Sequence, residues 1–257
     1  MVHQTNQLLR LDYQFHEYFL FVFFSTICSY NFHWYLTPLT PTEKLRVHWT
    51  QQHKILHLAF FVAGLAGSVI YAFYFTSHLF WMALSVLLTF LYSAPKVPIR
   101  SFIFLRKMAV GKTIFLSFVW MYVTTFLPVI FSGKDWQPSD LLFCISRFFL
   151  IYPICILFDF RDRENDKKEG IISLITYLSK KGIQNLFFSC IVLFGISTIA
   201  LYYAGLPLLV VLMLLTPGLI TAILYKFAIR NFSDYLYYFV LDGLMMFSAL
   251  LTAFVSF

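Results

Sequence analysis

The chain has 257 residues, of which 60% are hydrophobic, 21% aromatic and only 12% charged; its mean hydropathy is +0.76 and its formal net charge +7. A soluble domain of this length cannot bury so much apolar surface, which excludes a water-soluble protein and makes lipid the solvent. The positive charge then reads as a bias between loops, so no nucleic acid is expected as a partner.

Residues 1–14 (MVHQTNQLLRLDYQ) are polar and lack the apolar run and small-residue cleavage site of a secretory signal. Eight apolar stretches follow, at 15–33, 55–76, 79–94, 113–131, 141–159, 183–203, 207–225 and 235–256. Each is near the length that crosses about 30 Å of hydrocarbon as a helix, and none alternates as a barrel strand does. The expectation is an all-α polytopic membrane bundle of about eight transmembrane helices, forming one domain over 1–257. Cys28, Cys144, Cys155 and Cys190 all fall in apolar stretches without metal-ligand spacing, and read as small buried apolar residues.

The connections alternate between long polar ones (34–54, 95–112, 160–182, 226–234) and short ones (77–78, 132–140, 204–206). The long set carries sixteen of the nineteen Lys and Arg residues. By the positive-inside rule the long loops are cytoplasmic and both termini lie outside. The plasma (inner) membrane is the expected location.

The polar punctuation of this chain is concentrated in residues 159–170, DFRDRENDKKEG, which hold five of its twelve acidic residues. Asp159, Asp162 and Asp166 are spaced i, i+3, i+7, which places them on one helix face. Carboxylates so placed repel one another, and a hard divalent cation such as Mg²⁺ relieves that repulsion. Arg161, Arg163, Lys167 and Lys168 supply cations for phosphate oxygens. The same spacing is equally that of a solvated loop held by internal ion pairs.

A second motif lies at the expected cytoplasmic end of the third span, Tyr-x-x-x-Lys in YSAPK (92–96). The D-x-x-D-x-x-x-D run followed by Gly170-Ile171, together with Tyr92 and Lys96, resembles the UbiA superfamily of intramembrane prenyltransferases, over roughly residues 20–256. The resemblance implies Mg²⁺-dependent transfer of an isoprenyl group from an isoprenyl diphosphate to a lipophilic, aromatic acceptor within the membrane. It gives Asp159, Asp162 and Asp166 as metal ligands, Lys96 as a diphosphate contact and Tyr92 as an orienting group. Lys112 and Arg161 are further candidates for the phosphates. The earlier aspartate-rich motif of that family aligns with NFHWYLTPL (31–39). Asn31 is kept there, but Phe32, Tyr35 and Leu39 stand at the aspartate positions. The first helix of the family also has no counterpart. The alternative expectation is therefore a catalytically impaired homologue that binds a prenyl lipid or a protein partner. A transporter is disfavoured, because the ionisable groups cluster at one membrane face.

Three further features stand out. His53 and His57 are spaced i, i+4 but have no third ligand in sequence. Arg147 lies inside the fifth span, where Glu17 is the expected structural partner. Asp242 lies two turns into the last span.

Overall fold

The computed structural model describes residues 1–36, 49, 52–93, 112–168 and 173–254, and every regular element among them is helical. In chain order these are α1 (Val2–Leu9), α2 (Phe15–Tyr35), α3 (Lys54–Ala72), α4 (Leu79–Ser93), α5 (Lys112–Met121), α6 (Leu127–Phe131), α7 (Pro138–Lys168), α8 (Leu174–Tyr177), α9 (Lys180–Tyr203), α10 (Leu208–Ala228) and α11 (Asp242–Thr252). A 3₁₀ segment, Phe73–His78, joins α3 to α4, and π-helical turns occupy Tyr122–Phe126 and Leu236–Leu241.

Five helical runs are long and apolar enough to cross a membrane: Lys54–Leu91, Thr113–Phe131, Pro138–Lys168, Lys180–Tyr203 and Leu208–Ala228. Their outer faces carry exposed Ile70, Val86, Val192, Ile196, Leu219 and Ile223. Such a surface is stable only against lipid, so the chain is a helical membrane protein. The second and third expected stretches fall within the single run Lys54–Leu91. The first is the 21-residue helix α2, whose His16, Glu17, Asn31 and His33 make it more polar than the five. The last is the shorter apolar run Leu236–Thr252.

The chain divides into two compact units, Gln14–Lys107 and Met1–Tyr13 with Met108–Phe257. In the first, α2 packs along α3. Closeness depends on Gly64, where an added Cβ would sit 2.6 Å from the Cys28 nitrogen and 2.9 Å from the Phe24 carbonyl oxygen. Gly67, one turn on, lies beneath the Phe24 ring. A Ser25–Ser68 hydroxyl bond of 3.1 Å crosses the same seam. Small residues that admit a neighbouring backbone are how membrane helices gain packing where no hydrophobic effect drives them together. The helix breaks at Phe75 (φ −119°, ψ 29°), whose buried ring meets Tyr18 edge-on at 5.7 Å.

In the second unit the 31-residue helix α7 is the axis. Ile154, Ile156 and Leu157 are fully buried with Ile183 and Phe187 of α9 and Tyr237 and Leu241 of the second π turn. A second cluster joins Leu8 and Leu9 of α1 to Val129, Phe143, Leu201 and Val210. A π turn leaves backbone carbonyls displaced from the regular ladder. Here the Thr5 hydroxyl donates to the Thr124 carbonyl at 2.7 Å, so α1 satisfies one of them. At the start of α7, the buried Asp140 accepts from the Gln137 amide (2.9 Å) and from Lys134 (2.7 Å), which also donates to the Leu9 carbonyl. The α7 helix continues to Lys168, past the point where a loop was expected at residue 160.

Gly64→Ala should destabilise the protein by about 1–3 kcal/mol, because the Cβ strikes backbone that cannot rotate away. Gly195, on α9, has open space at the same position. Gly195→Ala should leave stability unchanged or raise it by up to about 1 kcal/mol. Thermal unfolding of both variants in detergent checks the contrast.

Candidate functional site

The polar end of α7 follows from its sequence. After Leu157 the apolar run gives way to DFRDREND, while the backbone stays helical. The three aspartates therefore stand on one face, at different depths. Asp159 is buried, 8% exposed, and accepts a 2.5 Å hydrogen bond from the Thr113 hydroxyl of α5. Asp162 is 45% exposed at its side chain, and Asp166 is half-buried.

Asp162 is met by its neighbour. Arg161 Nε donates to one carboxylate oxygen at 2.8 Å and Nη2 to the other at 3.2 Å. The same Nη2 donates to the Tyr238 hydroxyl at 2.8 Å. The guanidinium carbon lies 5.2 Å from the Phe158 ring centroid and 4.8 Å from those of Tyr237 and Tyr238. Three ring faces so near a cation attract it through their quadrupoles. The Arg161 side chain is only 8% exposed, and its Nη1 is buried without a hydrogen-bond partner. This is not a surface ion pair of negligible worth; losing Asp162 would leave an enclosed cation uncompensated. Tyr237 is fixed in turn by donating its hydroxyl to the Ala228 carbonyl at 2.9 Å, at the end of α10.

Arg163 turns to the opposite task. Its Nε donates to the Ile175 carbonyl (2.9 Å) and its Nη2 to the Leu178 carbonyl (2.7 Å). It thereby holds the short helix α8, which Ser173 and Thr176 close with a capping box, against the end of α7. Of the two arginines in the motif, one is a structural staple and the other faces the carboxylates.

Asn31 belongs to the other unit. Its side-chain amide donates to the Ile27 carbonyl at 2.8 Å, and its oxygen lies 2.7 Å from His57 Nδ1. His57 Nε2 is buried without a partner, while the ring of Trp49 stacks on His53 at 4.3 Å and meets His57 edge-on at 6.2 Å. His57 is thus a partner of Asn31. The i, i+4 histidine spacing pointed to the pair as a unit, but nothing local in the sequence tied His57 to a residue 26 positions earlier. Phe32 stacks near Phe61 at 5.3 Å, and Tyr35 is 38% exposed.

Tyr92 lies in the last turn of α4 and Lys112 in the first turn of α5. Lys96, Leu39 and Gly170 lie outside the described residues. Arg147 departs from expectation. Its Nη2 donates at 2.7 Å to Gln4 of α1, and its guanidinium lies 5.0 Å from the Phe143 ring. Glu17 was the nearest acid in the sequence-based topology, but Gln4, a neutral residue from a helix that the hydropathy pattern passes over, takes that place.

Among the described residues no three His, Cys, Asp or Glu side chains come together as a ready-made metal site. The donor set at the end of α7 is still of the kind Mg²⁺ takes: hard carboxylate oxygens, with Asp162 reaching solvent. Mg²⁺ needs only one or two carboxylates, with water and phosphate oxygens completing its octahedron. No family model matches the chain, and no curated protein or solved structure is significantly similar to it.

Proposed function

We propose that the chain is a UbiA-like intramembrane prenyltransferase, an eight-crossing bundle in which the acidic face of α7 takes an isoprenyl diphosphate with Mg²⁺. The observation that carries this reading is the single polar face Asp159, Asp162 and Asp166 at the end of an otherwise apolar helix, beside the enclosed cation Arg161. Bound there, Mg²⁺ would neutralise the diphosphate and so make it a better leaving group. Asp162 and Asp166 present the oxygens that would hold it, and Thr113 fixes the Asp159 carboxylate by hydrogen bond. Arg161 supplies positive charge for the phosphate oxygens, with Lys112 as a further cation from the same unit. The allylic C–O bond then breaks, with its electron pair leaving on the diphosphate. An electron-rich carbon or oxygen of a lipophilic, aromatic acceptor bonds to the allylic carbon and releases a proton. Aromatic rings are suited to stabilising the allylic cation in between.

One observation favours a second reading, a catalytically impaired homologue that binds a prenyl lipid or a protein partner. Both oxygens of Asp162 are already engaged by Arg161, and Phe32 and Tyr35 replace carboxylates at the first motif. On that reading the Arg161–Asp162 pair is purely structural.

Equilibrium binding of a radiolabelled isoprenyl diphosphate to the purified chain separates the two. On the first reading binding requires Mg²⁺, is abolished by chelator, and falls at least tenfold in Asp162→Asn. Binding that is the same with chelator present, or no binding at all, removes the first reading. Transfer to an added aromatic acceptor would then distinguish turnover from binding alone.

Sidedness is part of the same proposal, supported by the sixteen-to-three division of basic residues. Tyr177 and Tyr203 are 85% and 84% exposed on opposite sides of α9 along the chain. An impermeant thiol reagent applied to intact cells should label Tyr203→Cys and spare Tyr177→Cys; the reverse pattern inverts the topology. The native cysteines are buried or half-buried and give little background.

A further inference from the structure

A buried cation remains that the reading above does not use. Arg147 is 3% exposed, within the span Pro138–Lys168. Among the described residues its one hydrogen bond runs from Nη2 to the Gln4 side-chain oxygen, and its Nε is buried with no partner. No carboxylate among the described residues answers it: Asp140, two turns earlier on α7, is taken by Lys134 and the Gln137 amide. An isolated charge in a low-dielectric interior costs several kcal/mol even after relaxation, and natural structures pair it or hydrate it.

Beside this guanidinium the bundle is not filled. A small cavity is lined by Phe143, Ser146, Arg147, Phe194, Leu214 and Ser248, with room for about one water-sized occupant. Its serine hydroxyls are already engaged, because the Thr198 hydroxyl donates to the Phe194 carbonyl and Ser146 therefore donates to Thr198. Ser146 shares a 2.7 Å bond with the Thr198 hydroxyl, and Ser248 reaches the Gln4 oxygen at 3.4 Å. Gln4 is itself anchored, its amide donating to Thr252 at 3.0 Å. The Gln4 oxygen already accepts from Arg147, so it does not neutralise the charge. What the site lacks is a negative group of roughly monatomic size.

We propose that the cavity beside Arg147 is a binding site for a small monovalent anion of halide size. The anion would accept the free Nε–H of Arg147 and would cancel a charge that no carboxylate among the described residues cancels. Phe143, Phe194 and Leu214 close the site apolarly, which excludes larger and strongly hydrated anions. The inference is independent of prenyl chemistry at the other end of α7, because none of these residues belongs to that site.

The test is thermal unfolding of the full chain in detergent, in sodium chloride, sodium bromide or sodium gluconate at equal ionic strength. Chloride and bromide should raise the melting temperature saturably, by roughly 5 °C at a concentration a hundredfold above Kd. Arg147→Met, which keeps the volume and removes the charge, should abolish the halide dependence. Crystals of the wild-type protein grown in bromide give a second readout that does not depend on the folding of that variant. An anomalous peak within about 3.5 Å of Arg147 Nε supports the site. Equal stability in halide and gluconate, or bromide-grown crystals with no peak there, overturns it and leaves a water in the cavity.

Discussion

A polar side chain buried among apolar helices has to find its partner there, and α7 gathers several such pairs. In hydrocarbon an unsatisfied backbone or side-chain group has no water to turn to. Along one 31-residue helix the chain pairs Asp140 with Lys134 at the start, Arg147 with Gln4 in the middle, and Asp159 with Thr113 near the end. Each partner comes from a different element: the turn before α7, then α1, then α5. The polar bonds therefore fix which helices can surround α7, while the apolar clusters around Ile154 and Phe143 fill the space between.

The same constraint explains the departures from regular helix. A π turn at Tyr122–Phe126 is tolerated because Thr5 meets its displaced Thr124 carbonyl. The second, at Leu236–Leu241, carries both Tyr237 and Tyr238. Two adjacent rings then close on Arg161 together with Phe158. The same π segment thus supplies two of the three rings around the cation beside the acidic face.

Helical class and membrane solvent were legible in composition, and so was the shared face of Asp159, Asp162 and Asp166, because helical spacing is a local property. What the sequence did not reveal was long-range. Gln4 sits in a polar leader of low hydropathy, yet it meets Arg147, 143 residues away. The rings of Tyr237 and Tyr238 reach Arg161 across some 77 residues. The i, i+4 spacing of His53 and His57 marked the pair without a third ligand, and the bond that forms is from His57 to Asn31. Charge spacing read Arg161 and Arg163 as equivalent, but one staples α8 and the other faces a carboxylate; only the carbonyls of Ile175 and Leu178 separate them. The break at Phe75 was legible only as a gap between two apolar stretches, since the buried contact with Tyr18 that fixes it is tertiary.

The central claim is that the acidic face of α7 is a place where a divalent cation and a diphosphate bind together. Mn²⁺ takes the same oxygen ligands as Mg²⁺ and is paramagnetic, so it reports directly on its neighbours. Electron paramagnetic resonance of the purified protein with Mn²⁺ and an isoprenyl diphosphate should show a protein-bound signal with phosphorus hyperfine coupling. That signal should weaken in Asp162→Asn and persist in Arg163→Lys. A Mn²⁺ spectrum identical to that of metal and diphosphate free in solution would contradict the claim, and would leave the aspartates a structural role only.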